Sequence, residues 1–112
     1  MPKCRKGKVV ENRIGKRYEK AGYRVQYRKR IPEGEIDFIA KRKREKIAGE
    51  VKHSAKRRTV SSSEVVKIAR KARRIKAKPT LILTGRTKLS SNAKKAAKKH
   101  RVRVKRIWNE VG

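Results

Sequence analysis

Residues 34–53 spell two short strands and the turn between them. Gly34-Glu35-Ile36-Asp37-Phe38-Ile39-Ala40 precedes a polar Lys43-Arg44-Glu45-Lys46 turn, and Ile47-Ala48-Gly49-Glu50-Val51-Lys52-His53 follows it. Side chains alternate along a strand. Glu35, Asp37 and Ile39 therefore share one face and Ile36, Phe38 and Ala40 the other, apolar, face. On the second strand Ala48, Glu50 and Lys52 share a face, with Ile47, Gly49 and Val51 opposite. Directly opposed residues of an antiparallel pair have a constant index sum and point to the same side. A turn centred between Lys43 and Arg44 gives a sum of 87. In that register Asp37 faces Glu50 and Glu35 faces Lys52. A sum of 88 would send Asp37 and Glu50 to opposite faces.

Working outward from this hairpin, Val10, Ile14, Tyr18 and Ala21 fall on one helical stripe, predicting a helix over 9–22 that ends at Gly22. Residues 1–8 are a basic lead-in. Tyr23, Val25 and Tyr27 alternate with Arg24, Gln26 and Arg28 as a strand, and Pro32-Glu33-Gly34 is a turn. After the hairpin, 59–63 reads as a loop. A helix follows over 61–76 with Val65, Ile68, Ala69, Ala72 and Ile75 on its stripe. Ser61 or Ser62 is its N-cap, with Glu64 in the capping-box position. Leu81-Ile82-Leu83 predicts a strand over 79–84 buried on both faces. A turn over 85–88, a helix over 92–99 capped by Ser90 or Ser91, and a strand over 102–107 complete an α-β-β-β-α-β-α-β order. A meander followed by right-handed crossovers gives an α/β fold, a mixed central sheet flanked by helices. No internal repeat or dividing linker appears, so a single domain is expected over 1–112.

The chain carries 38 Lys and Arg against 9 Asp and Glu, a formal charge of +29. Such a surface attracts polyanions, nucleic acid first of all. No uninterrupted Ala/Val/Ile/Leu/Met/Phe/Trp run exceeds three residues, and no apolar segment follows the basic amino terminus. These features argue against a membrane span and a signal peptide, and no membrane partner is expected. A cytoplasmic, nucleoid-associated protein is the expectation. The single cysteine, Cys4, with His53 and His100 is too thin a set for a zinc cage. Asn (three) and Gln (one) are scarce, which points to a thermophilic source.

Acids are rare here, so their placement carries information. Asp37 is the only aspartate. Two carboxylates side by side repel each other, and a hard divalent cation removes that repulsion. Asp37 and Glu50 are therefore candidate Mg²⁺ ligands, and Lys52 is placed to assist a water or to stabilise phosphorane charge. The plainer alternative is a solvated surface ladder with Glu35 paired to Lys52.

Glu11 in the first helix, then Glu35-Ile36-Asp37, then Glu50-Val51-Lys52, resembles the PD-(D/E)xK nuclease superfamily with its restriction-endonuclease-like core. The opening Arg5-Lys6-Gly7-Lys8-Val9-Val10-Glu11 and Lys20-Ala21-Gly22-Tyr23-Arg24-Val25 are most similar to archaeal Holliday junction resolvases, over roughly 5–85. The resemblance implies a structure-selective, Mg²⁺-dependent endodeoxyribonuclease, with Mn²⁺ as a substitute, cutting branched double-stranded DNA as a homodimer. It implies that Asp37, Glu50 and the Val51 backbone carbonyl hold the metal, with Glu11 reaching it through water. Glu11, Asp37, Glu50 and Lys52 would be the catalytic set. Asn12 stands where the resolvases usually carry Arg, and 28–34 lacks the serine they often have. The expected DNA contacts are Arg5, Lys6, Lys8, Arg28, Lys29, Arg30, Ser54, Lys56, Arg57 and Arg58. The rival from another class is a non-catalytic, chromatin- or ribosome-associated DNA- or RNA-binding protein on a nuclease-like scaffold.

Overall fold

The structure is a computed structural model that describes residues 5–107, with side chains described from Lys8 onward. Eight elements follow in order: α1 (Arg5–Lys20), β1 (Arg24–Ile31), β2 (Gly34–Arg42), β3 (Glu45–Val60), α2 (Ser62–Arg74), β4 (Lys78–Leu89), α3 (Ser91–Lys99) and β5 (Arg103–Ile107). This is the expected order. The strands form one sheet in sequence order, β1-β2-β3-β4-β5. β1–β2 and β2–β3 pair antiparallel, whereas β3–β4 and β4–β5 pair parallel through the α2 and α3 crossovers.

Both faces of the sheet are covered. Val10, Ile14 and Tyr18 of α1 pack on Phe38, Ala40, Ile47, Val51 and Ile82. On the opposite face Val65, Ile68 and Ala69 of α2 and Ala93 and Ala97 of α3 pack on Leu81 and Leu83. The Leu81-Ile82-Leu83 run is thus buried on both sides, as a central parallel strand requires. Ser61 caps α2 in a complete capping box: its hydroxyl accepts from the Glu64 N–H, and the Glu64 carboxylate accepts from the Ser61 N–H. Ser90 caps α3. Each such cap contributes about 1 kcal/mol.

The outline differs from expectation in four places. α1 begins at Arg5, so the basic lead-in is already helical there, and Ala21 is exposed beyond the helix end. β3 runs on to Val60, and β4 through the predicted 85–88 turn to Leu89. The two strands continue to pair as Arg58↔Thr87, Thr59↔Lys88 and Val60↔Leu89 after an irregularity between Ser54 and Arg58. Their apolar content there is slight, and long-range pairing supplies what local pattern does not. Gly85 takes φ +64 with its Cα against the Ser54 carbonyl, so a glycine carries the bend inside a strand rather than ending it. The fourth difference is Ile36. It packs with Ile39, Ala48 and Ala72 on the α2 face instead of joining Phe38 and Ala40 on the α1 face.

Candidate active site

The β2–β3 register has the index sum 87: Phe38↔Gly49, Ile39↔Ala48, Ala40↔Ile47, Lys41↔Lys46 and Arg42↔Glu45. The ladder ends at Phe38↔Gly49, and β2 and β3 part at the carboxylates. Asp37 Oδ2 accepts the Val51 backbone N–H at 2.9 Å. In a continued ladder Val51 would stand opposite Ile36, so an aspartate side chain takes the N–H that β2 backbone would otherwise have received. Within an extended strand a residue's N–H and C=O point to the same side. The Val51 carbonyl is therefore directed toward the same gap. On the outer side of β2, the ladder pairs Tyr27↔Phe38 and Lys29↔Ile36 flank Arg28 and Asp37, which the ladder skips. Arg28 has φ +52. A non-glycine residue in that region costs about 1–2 kcal/mol. This break in β1 and β2 resets the alternation at Asp37 and turns Ile36 to the other face.

Gly49 carries the ring of Phe38 directly on its Cα, and a Cβ there would overlap the ring. Phe38 is fully buried. This contact seats the end of the ladder and, one residue on, Glu50.

Asp37, Glu50 and Glu11 are all buried, at 3%, 6% and 1% exposure. Burial, reinforced by the neighbouring Asp37 charge, pushes the Glu50 carboxyl up to about 7; Lys71 and Lys52 act in the opposite direction. Lys71 Nζ lies 3.1 Å from Glu50 Oε1 and 2.6 Å from the Glu35 carbonyl oxygen. Lys52 Nζ lies 3.6 Å from Glu64 Oε1, the α2 capping glutamate, which also accepts from Arg58 at 2.6 Å. Burial tends to raise the Glu64 carboxyl, but the Ser61 N–H and the Arg58 and Lys52 charges outweigh it and hold the group low.

The structure brings Asp37, Glu50, Val51 and Lys52 together at the split between β2 and β3. Glu11 is on α1, against the other face of the sheet. Its Oε1 lies 3.5 Å from Arg28 Nη1, which also reaches Asn12 Oδ1 at 3.4 Å. Among the described residues no three His, Cys, Asp or Glu side chains converge closely enough to hold a metal. The expected ladder pairs Asp37–Glu50 and Glu35–Lys52 are not found, because β2 leaves β3 after Phe38↔Gly49, and Glu35 pairs with Arg30 of β1. Lys29, Arg30, Lys56, Arg57 and Arg58 are exposed, as is Lys8. Ser54 lies in β3 rather than in a loop, and its hydroxyl accepts the Lys56 N–H at 3.2 Å. His53 Nδ1 meets Thr84 Oγ1 at 2.7 Å. The side chains of Arg5 and Lys6, and all of Cys4 and Trp108, lie outside the described residues. Lys71 and the second role of Glu64 were not singled out in the sequence, where they read as part of a basic run and as a cap.

A helix, a three-stranded meander and two crossovers, with an aspartate and a Glu-x-Lys strand meeting at the meander's split, define the restriction-endonuclease-like fold of the PD-(D/E)xK nucleases. A family model described as restriction endonuclease (Mrr_cat) matches residues 5–107. The chain belongs to that family. Among solved structures it is similar to a protein of unknown function, AF1548 (TM-score 0.76, 18% identity, 89% of this chain and 58% of that one). It is also similar to a repair endonuclease from Pyrococcus abyssi (TM-score 0.70, 20% identity, 96% and 49%) and to Pyrococcus furiosus SfsA in complex with Ca²⁺ (TM-score 0.66, 15% identity, 89% and 56%). At these identities the likeness is one of fold, and the chain spans about half the length of these neighbours. A search of curated proteins finds no match. Among the described residues no helix is long and apolar enough to cross a membrane.

Proposed function

We propose that this chain is a divalent-metal-dependent endodeoxyribonuclease that cuts branched double-stranded DNA, as a Holliday junction resolvase does. The observation that carries this reading is the pair of buried carboxylates, Asp37 and Glu50, near enough for the Asp37 charge to raise the Glu50 carboxyl, in a protein of charge +29. A protein that only bound phosphate would gain nothing from two buried acids, because their charge opposes the polyanion. The donor set fits a hard cation: Mg²⁺ takes one or two carboxylates and completes its shell with water and phosphate oxygens. Asp37 and Glu50, with the Val51 carbonyl, would hold it, and Glu11 would contribute from α1 through water. A bound Mg²⁺ or Mn²⁺ supplies Lewis acidity for hydrolysis of the phosphodiester.

The chain's own residues do the rest. The Val51 N–H fixes one Asp37 oxygen at the split between β2 and β3. Lys52, a quarter exposed, presents its ammonium at the mouth of the site, where it stabilises charge developing on the phosphate. Glu64 orients that ammonium from α2. Lys8, Lys29, Arg30, Lys56, Arg57 and Arg58 contact phosphates and set affinity and salt dependence rather than sequence preference. Two copies of the chain would place two such sites on one junction, a role suited to a nucleoid-associated protein.

The test is cleavage of a labelled four-way junction beside the matching linear duplex, in Mg²⁺ and in Mn²⁺. Paired, symmetric cuts in the junction that vanish in Lys52→Ala are expected. Equal cutting of the linear duplex would remove the branched-DNA selectivity, and tight, salt-sensitive binding without cleavage would leave only a binding protein.

A further inference from the structure

Helix α2 lies over β3 with reversed charge. Glu64, Ile68, Lys71 and Ile75 follow one another at i, i+4, i+7 and i+11 and so share one flank of the helix. α2 runs back along β3, since it connects two parallel neighbours. Its Glu64 therefore comes to Lys52, and its Lys71, two turns on, comes to Glu50. Each charged residue of the Glu50-Val51-Lys52 strand meets its opposite on the helix.

The Lys71 contact differs in kind from the other basic side chains. In a chain with 38 basic residues, Lys71 is the one whose ammonium group hydrogen-bonds Glu50 among the described residues. Its side chain is 12% exposed, and its second acceptor, the Glu35 carbonyl, belongs to β2 two residues before Asp37. The ammonium thus bridges the two strands that part at the site. Gly34 makes room for it: the Lys71 Cε lies 3.3 Å from where a Gly34 Cβ would be, and Gly34 holds φ +132, a region that L side chains rarely adopt. A carboxylate oxygen and a backbone carbonyl oxygen around one small cation form a hard, all-oxygen environment of the kind a divalent ion selects.

On the reading of Asp37 and Glu50 as the metal-binding pair, we propose that Lys71 is a built-in counter-ion that neutralises Glu50 in the metal-free protein and competes with the divalent cation for it. A cation that Glu50 holds through Oε1 must displace the ammonium from it, because two cations sharing one carboxylate oxygen at contact distance repel each other. Lys71 therefore lowers metal affinity while it keeps the empty site from opening. Once displaced, its stem leaves the ammonium on the α2 flank, next to the exposed Lys67 and Arg70, as one more phosphate contact.

The test is Mn²⁺ binding by calorimetry on the full chain, for wild type, Lys71→Met and Lys71→Arg. Methionine keeps the buried stem and removes the charge. At least tenfold tighter Mn²⁺ binding is expected in Lys71→Met, with affinity at or below wild type in Lys71→Arg and no binding once Asp37→Asn is added. Unchanged or weaker affinity in Lys71→Met would overturn the proposal while leaving the metal-binding pair intact. Absence of Mn²⁺ binding in all variants would overturn the metal reading, and the proposal with it. A second readout needs no variant at position 71. In wild-type protein labelled with ¹⁵N on lysine, the hydrogen-bonded Lys71 ammonium should give a protected signal that Mg²⁺ abolishes. Persistence of that signal at saturating Mg²⁺ would refute displacement.

Discussion

Replacing Glu50 with glutamine should stabilise the metal-free protein, and the gain should grow as pH rises. Glu50 sits in the fold with its carboxyl pushed up to about 7, against 4.5 in an unperturbed chain, because burial and the Asp37 charge disfavour its ionised form. Between those two values the folded state holds a proton that the unfolded state has released, so stability falls as pH rises through the window. At about 1.4 kcal/mol per tenfold step, the wild-type chain gives up roughly 3 kcal/mol by the upper end. Glutamine resembles the protonated acid and has nothing to lose. Glu50→Gln should therefore match wild type near pH 4 and exceed it by roughly 3 kcal/mol near pH 8, about 10 °C in Tm for a chain of this length. The assay is urea denaturation in EDTA at several pH values and constant ionic strength. Mg²⁺ should raise the stability of wild type near pH 8 and leave Glu50→Gln unchanged, since binding to the folded state adds to stability. A difference between the two proteins that does not vary with pH, or a Glu50→Gln chain less stable than wild type near pH 8, would refute the reasoning.

Gly49→Ala should cost about 1–3 kcal/mol by urea denaturation, because the new methyl meets the ring of the fully buried Phe38 and the β2–β3 ladder must shift. Glu64→Gln removes the charged half of the α2 capping box and should cost about 1 kcal/mol at neutral pH. The Glu64 carboxyl is held low in the fold, so that difference is present above pH 4.5 and should fade as pH falls through the folded value, as thermal melts across that range would show. Replacing Lys56, Arg57 and Arg58 together with alanine should weaken junction binding and flatten its dependence on log salt by about 0.9 for each phosphate that is no longer neutralised. An unchanged slope in salt-titrated binding would place the DNA elsewhere.

Much of the architecture was legible because local patterns agreed with one another. The polar Lys43-Arg44 turn fixed the index sum of the hairpin, and with it the approach of Asp37 to Glu50, since each turn centre permits one register. Ser61 with Glu64 three residues on marked the start of α2, and an unbroken Leu81-Ile82-Leu83 run marked the doubly covered strand. What escaped was set by tertiary geometry. Strict alternation placed Ile36 beside Phe38, but the break in the β1–β2 ladder at Arg28 and Asp37 resets the strand, and no residue type announces such a break when the left-handed position is an arginine. The arms of β3 and β4 beyond Ser54 and Thr84 are so polar that pairing alone defines them. Lys71 was hidden in a run of basic residues, because which lysine turns inward depends on how the crossover lays α2 across β3. A signal was nevertheless there. Glu64 and Lys71 stand seven residues apart on the flank of the apolar stripe, in the same Glu-then-Lys order as Glu50 and Lys52, so a helix that runs back along that strand sets each charge against its opposite. The family is shared with restriction endonucleases, and the fold with longer proteins of which this chain covers 58% and 49%. Substrate choice within such a family is written in surfaces rather than in the core that defines the fold.

The central claim is that Asp37 and Glu50 form the metal-dependent cleavage centre of this chain. Asp37→Asn tests it most directly, because the amide keeps the shape and can still accept the Val51 N–H while removing the charge. The expected result is loss of Mg²⁺-dependent cleavage of a four-way junction, with junction binding equal to wild type or tighter because a negative charge has left a phosphate-binding surface. Cleavage by Asp37→Asn at the wild-type rate would contradict the account.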